Sequence, residues 1–251
     1  PVGSPMTISL RPYQQDVVNE VRVAYSEGYK CPLVVAATGA GKTVMFSYIA
    51  KNAAEKGSAI IIAAHRKEII RQISLSLARF SLPHNVIAPS SLVRQIKIAQ
   101  FKAFGASFVD SSSSTMVGSV QTIVGKFDQM DAAVSALSKR IGRPAKAITI
   151  IDEGHHCTDN TMWGRVMEKY GPKSGNVGLI VTASPERLDG KGLGKGHGGY
   201  ADTIIEAPPM TWLIESGFLS PYRVFTAQHQ IDVSSVKTRM GDFATKELQD
   251  V

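Results

Sequence analysis

A glycine-rich loop at residues 36–43, A-A-T-G-A-G-K-T, limits the fold of this chain more than any other segment. It follows an apolar run at residues 32–37 and opens an amphipathic segment, so a buried strand ends where a helix begins. Glycines let the backbone curl there, and the free N–H groups and positive dipole end of the helix point at an anion. In this pattern Lys42 supplies a point charge to the β- and γ-phosphates, and the Thr43 hydroxyl is placed to hold Mg²⁺. A glycine-rich turn before an ordinary helix would not explain this combination, and we predict a nucleoside triphosphate site.

A second signature lies at residues 147–153, where an apolar, β-branched run ends in two adjacent carboxylates. The run reads as a buried parallel strand. Two carboxylates at the carboxyl end of a strand can have different roles, because one can face a metal ion while the other faces the attacking water. We assign Asp152 to Mg²⁺, through water, and Glu153 to orienting and polarising the nucleophilic water. Taken alone, the pair could also be a solvated acidic turn, but its occurrence with the phosphate loop favours the metal site.

These motifs resemble those of helicase-like ATPases. The generic phosphate loop begins with Gly, but here that position is Ala36, and this departure is typical of helicase-like ATPases. Residues 152–155 follow the order D-E-x-H, with Gly154 where Ala or Cys is more usual. Residues 10–15 (LRPYQQ) resemble an adenine-reading Q motif, and residues 182–187 (TASPER) resemble motif III. Over roughly residues 8–226, the chain resembles the N-terminal RecA-like domain of a superfamily-two helicase. Within that superfamily the chain resembles the DEAD/DEAH-like type, including RadD-like and phage or prophage helicases.

The resemblance implies how ATP and Mg²⁺ are held. Gln14 meets the adenine edge with Arg11 and Tyr13 close by, and the phosphate loop and acidic pair surround the triphosphate. The implied ATP-binding residues are Arg11, Tyr13, Gln14, Thr38, Gly39, Ala40, Gly41, Lys42 and Thr43, with Thr43 and Asp152 at the metal and with Lys42, Asp152 and Glu153 as the catalytic residues.

The resemblance also implies a nucleic-acid partner. Residues 64–66 with Gln72 resemble motif Ia, and residues 118–122 resemble the strand-contacting segment that follows it. Such segments grip the sugar-phosphate backbone and carry no sequence information; for Arg66, a solvated charge at a helix start is the alternative. The implied contacts are His65, Arg66, Gln72, Ser119, Gln121 and Thr122, and the residues implied to couple the nucleotide site to the strand site are His155, Thr182 and Ser184.

The order of elements predicts an α/β fold: a RecA-like phosphate-loop domain with a mostly parallel sheet covered by helices on both faces. We expect helices at residues 11–27, 43–56, 66–80, 92–104, 130–141, 160–170 and 209–216. We expect strands at residues 32–37, 58–64, 86–88, 115–120, 147–151, 177–183 and 221–227. Residues 189–199 (DGKGLGKGHGG) form either a mobile basic loop or a plain disordered loop.

Composition sets bounds on partners and compartment. The net charge of +7 and the pI of about 9.4 fit a polyanion partner. Cys31 precedes one predicted strand and Cys157 follows another, so in a parallel sheet the two thiols would lie at opposite edges and stay free, which fits a reducing, cytoplasmic setting. A zinc site at residues 155–157 is disfavoured because a second ligand cluster is lacking. The sequence has neither a visible secretory signal nor an apolar run of the roughly 18 residues needed to span a membrane.

The resemblance suggests a domain division with consequences for activity. Residues 1–5 look like a cloning remnant, residues 6–226 form the first RecA-like domain, and residues 227–251 are a linker or the start of a second one. Because a second lobe supplies arginine fingers in such helicases, we expect this chain alone to bind ATP·Mg²⁺ and to hydrolyse it slowly or not at all.

Two other functions stay open at this point. The chain could be a nucleic-acid-binding module that uses ATP only as a switch, or a phosphate-loop ATPase with no nucleic-acid partner. The choice between DNA and RNA rests on the resemblance alone, which favours DNA.

Overall fold

The computed structural model describes residues 9–154, 157–184, 192–223, 238–239 and 242–243. The chain divides into two compact units, Pro1–Leu219 and Ser220–Val251. The described part of the second unit includes two short antiparallel strands, β8 (Thr238–Arg239) and β9 (Asp242–Phe243). All elements described below belong to the first unit.

A seven-stranded sheet forms the centre of the first unit, and every pairing between its strands is parallel. Its spatial order is β3-β4-β2-β5-β6-β1-β7. This confirms the predicted α/β class. The strands are β1 (Pro32–Val35), β2 (Ala59–Ala64), β3 (Asn85–Ile87), β4 (Thr115–Ser119), β5 (Ala147–Asp152), β6 (Val177–Thr182) and β7 (Thr203–Glu206).

Eight helices are described in this unit, and they cover both faces of the sheet. None of the described helices is long and apolar enough to cross a lipid bilayer. They are α1 (Pro12–Ser26), α2 (Lys42–Glu55), α3 (Lys67–Arg79), α4 (Ser90–Phe104), α5 (Val120–Val124), α6 (Phe127–Ile141), α7 (Met162–Tyr170) and α8 (Met210–Glu215).

The central strand β2 shows why the core has two layers. Its six residues are all buried, and they alternate between two apolar clusters because successive side chains of a strand point to opposite faces. Ile60 and Ile62 pack with residues of α1–α4 and α8, whereas Ile61 packs with residues of α5–α7. Burying one such side chain contributes about 1.5–3 kcal/mol.

Most predicted elements are present with ends that differ by a few residues, but two elements were missed. Helix α5 follows β4 directly, where the sequence analysis continued the strand to residue 120. Strand β7 lies at the sheet edge beside β1, and its two isoleucines, the exposed Ile204 and the buried Ile205, are too short an apolar run between Thr203 and Glu206 to predict a strand. Of the strand predicted at residues 221–227, residues 221–223 have no regular structure and the rest lies outside the described residues.

The described part of the glycine-rich segment, residues 192–199, contacts the core. Leu193 is buried, and Gly194 forms a parallel bridge with Ala201. Asp202 accepts hydrogen bonds from the backbone N–H groups of Lys30 and Cys31 and pairs with Lys195, which fixes this segment beside the start of β1. Residues 189–191 lie outside the described residues, so the expectation of a mobile loop is not tested over its full length.

Candidate nucleotide site

The phosphate loop leaves the end of β1 and turns into α2. Gly39 and Gly41 have φ values of 84° and 83°, a region that glycine enters without the steric penalty of a Cβ. Gly41 is the N-cap of α2, so the free N–H groups of the first helical turn open onto the loop. The loop begins in register with the sheet, because the N–H of Ala36 donates to the carbonyl of Thr182 at 3.0 Å.

Lys42 reaches back over the loop that precedes it. Its Nζ donates to the carbonyl oxygens of Ala36 at 3.0 Å and Ala37 at 3.4 Å. Burial lowers the pKa of Lys42, and the negative charges of Glu153 and Asp152 oppose that shift. The ammonium group is therefore close enough to the acidic pair to interact with it electrostatically.

Strand β6 brings the loop and the acidic pair to one place. It lies between β5 and β1, with Val181 opposite Asp152 and Thr182 opposite Val35. In a parallel sheet the carboxyl ends of the strands lie at one edge, so the phosphate loop and Asp152 emerge on either side of Thr182. The predicted proximity of the two motifs is present in the structure.

Asp152 is a buried carboxylate at the end of β5. Its residue is 6% exposed, and burial, with the nearby charge of Glu153, raises its pKa to about 6. A hydrogen bond from the Glu153 N–H to Asp152 Oδ1 at 3.1 Å and the charge of Lys42 partly offset this rise. A desolvated carboxylate with oxygen lone pairs suits a divalent cation such as Mg²⁺, which needs only one or two protein ligands beside phosphate oxygens and water. The donor set present here therefore fits that ion.

The turn after β5 is tightly packed. Glu153 has a φ of 56°, which is uncommon outside glycine and short polar residues. Gly154 follows it, and a Cβ at Gly154 would overlap Cγ2 of the buried Ile180. His155 and His156 lie outside the described residues, so the coupling role predicted for His155 stays a prediction.

The start of α1 contacts the phosphate loop through one carbonyl. The Tyr13 hydroxyl donates to Ala40 O at 2.8 Å, and Gln14 Nε2 donates to the same oxygen at 3.0 Å. Gln14 Oε1 accepts from the Arg11 N–H at 3.0 Å. Tyr13 and Gln14 are both buried, whereas Arg11 is exposed. The structure thus places the three predicted adenine-site residues beside the loop, with the Gln14 amide directed at protein groups.

Residues more than 170 positions from the loop also contact this region, and the sequence analysis missed them. Arg11 Nη1 donates to Phe218 O at 3.0 Å, and its guanidinium lies 5.5 Å from the centroid of the Phe218 ring. A Cβ built on Gly39 would lie 3.0 Å from Leu219 Cδ2. No local pattern predicts such contacts, because they form only when the end of the unit folds back on its start.

The predicted coupling residues Thr182 and Ser184 form a small turn at the end of β6. Thr182 Oγ1 donates to Ser184 O at 2.9 Å, and the Ser184 N–H donates to Thr182 Oγ1 at 3.2 Å. Thr182 is fully buried and also accepts from the loop through its carbonyl. Residues 185–187 of the motif III resemblance lie outside the described residues.

The predicted nucleic-acid segments lie along the same edge of the sheet. Ala64 is in register with Ser119, so His65 and Arg66 leave β2 beside the end of β4. Ser119 is the N-cap of α5; its Oγ accepts from the Thr122 N–H at 3.2 Å and lies 2.8 Å from Thr122 Oγ1. His65, Arg66, Gln72 and Gln121 are exposed. The hydroxyls of Ser119 and Thr122 therefore stabilise the helix start, whatever else they contact.

A groove beside the edge strand β3 extends this surface. Its polar lining consists of Ser90, Arg94 and Lys97 from α4 and of Asn85, Asp110 and Ser111. Ile87 at the end of β3 is in register with Gly118 of β4, and its neighbours Val86 and Ala88 line the groove. Nothing in the sequence marks Arg94 or Lys97 as functional, because isolated basic residues on a helix are ordinary surface residues.

Fold and site together define a RecA-like phosphate-loop domain. The chain belongs to the family described as "Type III restriction enzyme, res subunit", whose profile matches residues 7–187. That match includes both nucleotide motifs and the segments suggested for nucleic acid.

Two individual relatives align with most of this chain. The chain is 29% identical over 214 residues to a "51.5 kDa protein" of Lactococcus phage (isolate 7-9), an alignment covering 84% of this chain and 36% of the phage protein. It is 27% identical over 220 residues to a Schizosaccharomyces pombe protein named as a mitochondrial ATP-dependent helicase, irc3, covering 83% of this chain and 32% of that one. The chain therefore spans about a third of the length of these relatives.

Solved helicase structures share the fold. The Pyrococcus furiosus Hef helicase domain superposes with a TM-score of 0.53 at 20% identity, covering 78% of this chain and 37% of that one. The UvsW helicase from bacteriophage T4 superposes with a TM-score of 0.52 at 19% identity, covering 79% and 60%. At these identities the likeness establishes the fold alone.

Proposed function

We propose that this chain is the ATP-binding lobe of an ATP-dependent DNA helicase or translocase, and that it couples ATP hydrolysis to movement on a nucleic-acid strand. One observation carries the proposal: Lys42 interacts with Asp152 and Glu153 across β6, at the edge where parallel strands present ligand sites. The names of the S. pombe relative and of the two superposed structures, all helicases, support the same class.

The loop binds the triphosphate through backbone groups and one charge. The curl at Gly39 and Gly41 and the open first turn of α2 offer N–H donors to phosphate oxygens. Lys42 now donates to two neutral carbonyls, and the β- and γ-phosphates would replace them with charged acceptors, which form stronger hydrogen bonds.

Asp152 and Thr43 would hold Mg²⁺, which neutralises charge developing on the phosphates. Glu153 orients and polarises the attacking water. The backbone of Glu153 is left-handed, and the next residue, Gly154, packs against Ile180. Together these constraints set the direction in which the Glu153 side chain leaves the end of the strand. Thr182 and Ser184 then transmit the state of the nucleotide, because Thr182 contacts the loop through its carbonyl and the Ser184 turn through its hydroxyl.

The nucleic-acid partner is proposed to lie along the ends of β2 and β4 and to continue into the groove beside β3. His65, Arg66, Gln72 and Gln121 are exposed at or beside this edge, with Arg94 and Lys97 at its end. Such contacts are mainly to phosphates and position a strand without reading its sequence. The net charge of +7 supports a polyanionic partner.

The relatives' greater length supports a second RecA-like lobe as a partner of this one. In related phosphate-loop enzymes, an arginine finger contributes about 10³–10⁵ in rate. We therefore propose that this chain alone binds ATP·Mg²⁺ with little turnover. Vigorous DNA-stimulated hydrolysis by the 251-residue chain would contradict that requirement.

Calorimetric titration of ATP·Mg²⁺ into Lys42→Ala tests the nucleotide site. The matched control is Lys51→Ala, because Lys51 lies on the same helix α2 and forms a surface pair with Glu55. We expect loss of measurable binding for Lys42→Ala and wild-type affinity for Lys51→Ala. Equal affinities for the two variants would refute the phosphate-loop assignment.

A further inference from the structure

The outward face of α4 carries an exposed aromatic ring. Phe101 is 57% exposed, and Ile98, three positions before it, is 46% exposed, although both side chains are large and apolar. Arg94 lies one turn before Ile98, so these three residues follow positions i, i+4 and i+7 of a single helix face. The residues that α4 buries in the core lie on its other side: Leu92, Ile96 and Gln100. Packing of the core therefore does not account for the exposed stripe.

The charge around this stripe has one sign. From residue 69 to residue 109 the sequence has no acidic residue, and the basic residues of α4 are Arg94, Lys97 and Lys102. All three are exposed, and none of the ion pairs in the described part of the chain involves them. We call these three residues, with Ile98 and Phe101, the α4 surface. It offers positive charge that a polyanion can neutralise.

The α4 surface continues the wall of the groove beside β3. Arg94 and Lys97 line that groove, and Lys97 precedes Phe101 by four positions, so the groove wall and the ring are neighbours on the helix. Along the helix axis, Phe101 lies about 10 Å beyond Arg94. A strand that enters the groove, as proposed above, therefore meets the cations of α4 first and the ring next.

Asp110 makes the groove unfavourable for phosphates near the start of β3. Its N–H donates to the carbonyl of His84, just before β3, and the residue lines the groove. Hydrogen bonds from the Ser112 hydroxyl and N–H lower the pKa of Asp110, so the carboxylate is charged at neutral pH. This charge repels a phosphate backbone, whereas the α4 surface attracts it. Electrostatics therefore favour a path over α4 rather than along the whole length of β3.

Phe101 favours a single strand over a duplex. Positive charge combined with an exposed aromatic ring is the usual arrangement for holding single strands, because the charge follows the backbone and the ring stacks with a base. Among the described residues, no aromatic ring packs on Phe101, so its faces are open to a base. In a duplex the neighbouring base pairs cover the base faces, and uncovering one costs free energy.

We propose that the α4 surface binds single-stranded nucleic acid beyond the ends of β2 and β4, with a base stacked on Phe101 and phosphates at its three cations. The inference rests on the proposed function and extends it, because it assigns the strand form of the partner and a contact outside the motif segments. Ile98 adds apolar area beside the ring. The contact is independent of sequence, since every base has a π-face.

Phe101→Leu and Phe101→Trp test the stacking contact. Leu keeps much of the apolar surface and removes the flat ring, whereas Trp keeps a ring that can stack. Fluorescence anisotropy measures the binding of an oligothymidylate of about 16 nucleotides, of an abasic strand of the same length and of a duplex. We expect Phe101→Leu to weaken oligothymidylate binding about tenfold, Phe101→Trp to keep wild-type affinity, and neither change to affect the abasic strand or the duplex. Tyr29→Leu, at an exposed aromatic residue outside α4, is the control and should bind like the wild-type chain.

Two results would overturn the stacking contact. Equal affinities of Phe101→Leu and the wild-type chain for oligothymidylate would leave the exposed ring to another partner, such as a protein. Equal losses on oligothymidylate and on the abasic strand would show that no base is involved. The proposed function is tested separately: a loss in Arg66→Ala with none in Phe101→Leu keeps the strand at the sheet edge and removes it from α4. A wild-type chain that bound none of the three nucleic acids would contradict the nucleic-acid partner itself.

Lys102→Ala tests the phosphate contacts at the far end of the α4 surface. We expect it to reduce the slope of log K against log salt for oligothymidylate by about 1. Lys139→Ala is the matched control, because each lysine is exposed in the last turn of its helix, but α6 packs on the opposite face of the sheet from α4. Its slope should equal that of the wild-type chain. Equal reductions in the two variants would reflect net charge and overturn the phosphate contact at Lys102.

Discussion

Gly154 lies so close to Ile180 that any Cβ at position 154 would overlap Cγ2 of that isoleucine. Ile180 is fully buried in β6, between the two strands that carry the nucleotide motifs. The glycine departs from the Ala or Cys usual in the resembled motif, and the structure gives a physical reason for it. In this chain the turn that orients Glu153 packs directly on the strand between the motifs.

We expect Gly154→Ala to destabilise the fold by about 1–3 kcal/mol, the usual cost of overpacking a core. In an Ile180→Ala background the same change should cost far less, because the overlapping methyl group is gone. Urea denaturation of the four proteins in this cycle measures the coupling. Gly196→Ala is the control, since a Cβ there meets nothing within 4 Å. Additive effects of the two core substitutions would rule out the steric explanation.

His84 makes the stability of the domain depend on pH. The ring is fully buried, with Nε2 2.7 Å from Ser74 Oγ and Nδ1 2.8 Å from Leu82 O, and Gln100 completes the neutral network. Burial lowers its pKa from 6.5 to about 4, against the opposing effect of the Leu82 carbonyl. Between these values the unfolded chain binds the extra proton, so stability falls as pH drops from about 6.5 to about 4.

Protonation of His84 lowers the free energy of unfolding by about 3 kcal/mol across this pH range. Urea unfolding at closely spaced pH values measures it. His84→Asn removes the titration, so its stability should change less across the same window than that of the wild-type chain. A wild-type and variant pair with parallel pH profiles would show that His84 contributes nothing to the dependence.

Local patterns were sufficient to predict the centre of the fold. A run such as residues 59–64 is apolar at every position, which is typical of a short strand buried on both faces, and the loop at residues 36–43 specifies its own flanking elements. The acidic pair was predicted at the correct strand end for the same reason. Its position opposite Lys42 followed once the strands were taken as parallel.

The missed strand β7 and the missed contacts of Phe218 and Leu219 depend on residues far apart in the sequence. Strand β7 is stabilised by pairing with β1 rather than by a pattern of its own, and Ile204 is 59% exposed. Phe218 and Leu219 meet Arg11 and Gly39 only in the folded unit. The partners of the Gln14 amide could likewise not be predicted, because motif resemblance assigns a residue type to a ligand but cannot tell which groups compete for it.

Arg66 provides a test of the nucleic-acid edge. It is the N-cap residue of α3 and is exposed at the end of β2, where a phosphate contact would be independent of sequence. We expect Arg66→Ala to weaken binding of single-stranded DNA similarly for all sequences and to reduce the slope of log K against log salt by about 1. Fluorescence anisotropy across a salt series measures both quantities.

Arg79→Ala is the matched control for Arg66→Ala. Arg79 is also exposed on α3, but it lies in the last turn of the helix, away from the sheet edge that carries the phosphate loop. Its substitution should leave the salt slope unchanged. If both variants lowered the slope equally, the effect would reflect net charge and not a contact at Arg66.

Asp152→Asn should stabilise the ligand-free domain while abolishing its response to Mg²⁺. The carboxylate is buried, and its raised pKa means that keeping it charged near neutral pH costs free energy, which an amide of the same shape avoids. The Asn side-chain oxygen can still accept from the Glu153 N–H.

Asp110→Asn is the control, because hydrogen bonds from Ser112 lower the pKa of that exposed carboxylate and favour its charged form. Thermal unfolding with and without Mg²⁺, and ATP titrations in Mg²⁺ or EDTA, measure both effects. We expect a higher Tm and a Mg²⁺-independent ATP affinity for Asp152→Asn alone; a lower Tm with Mg²⁺-dependent binding intact would make Asp152 a structural residue rather than a metal ligand.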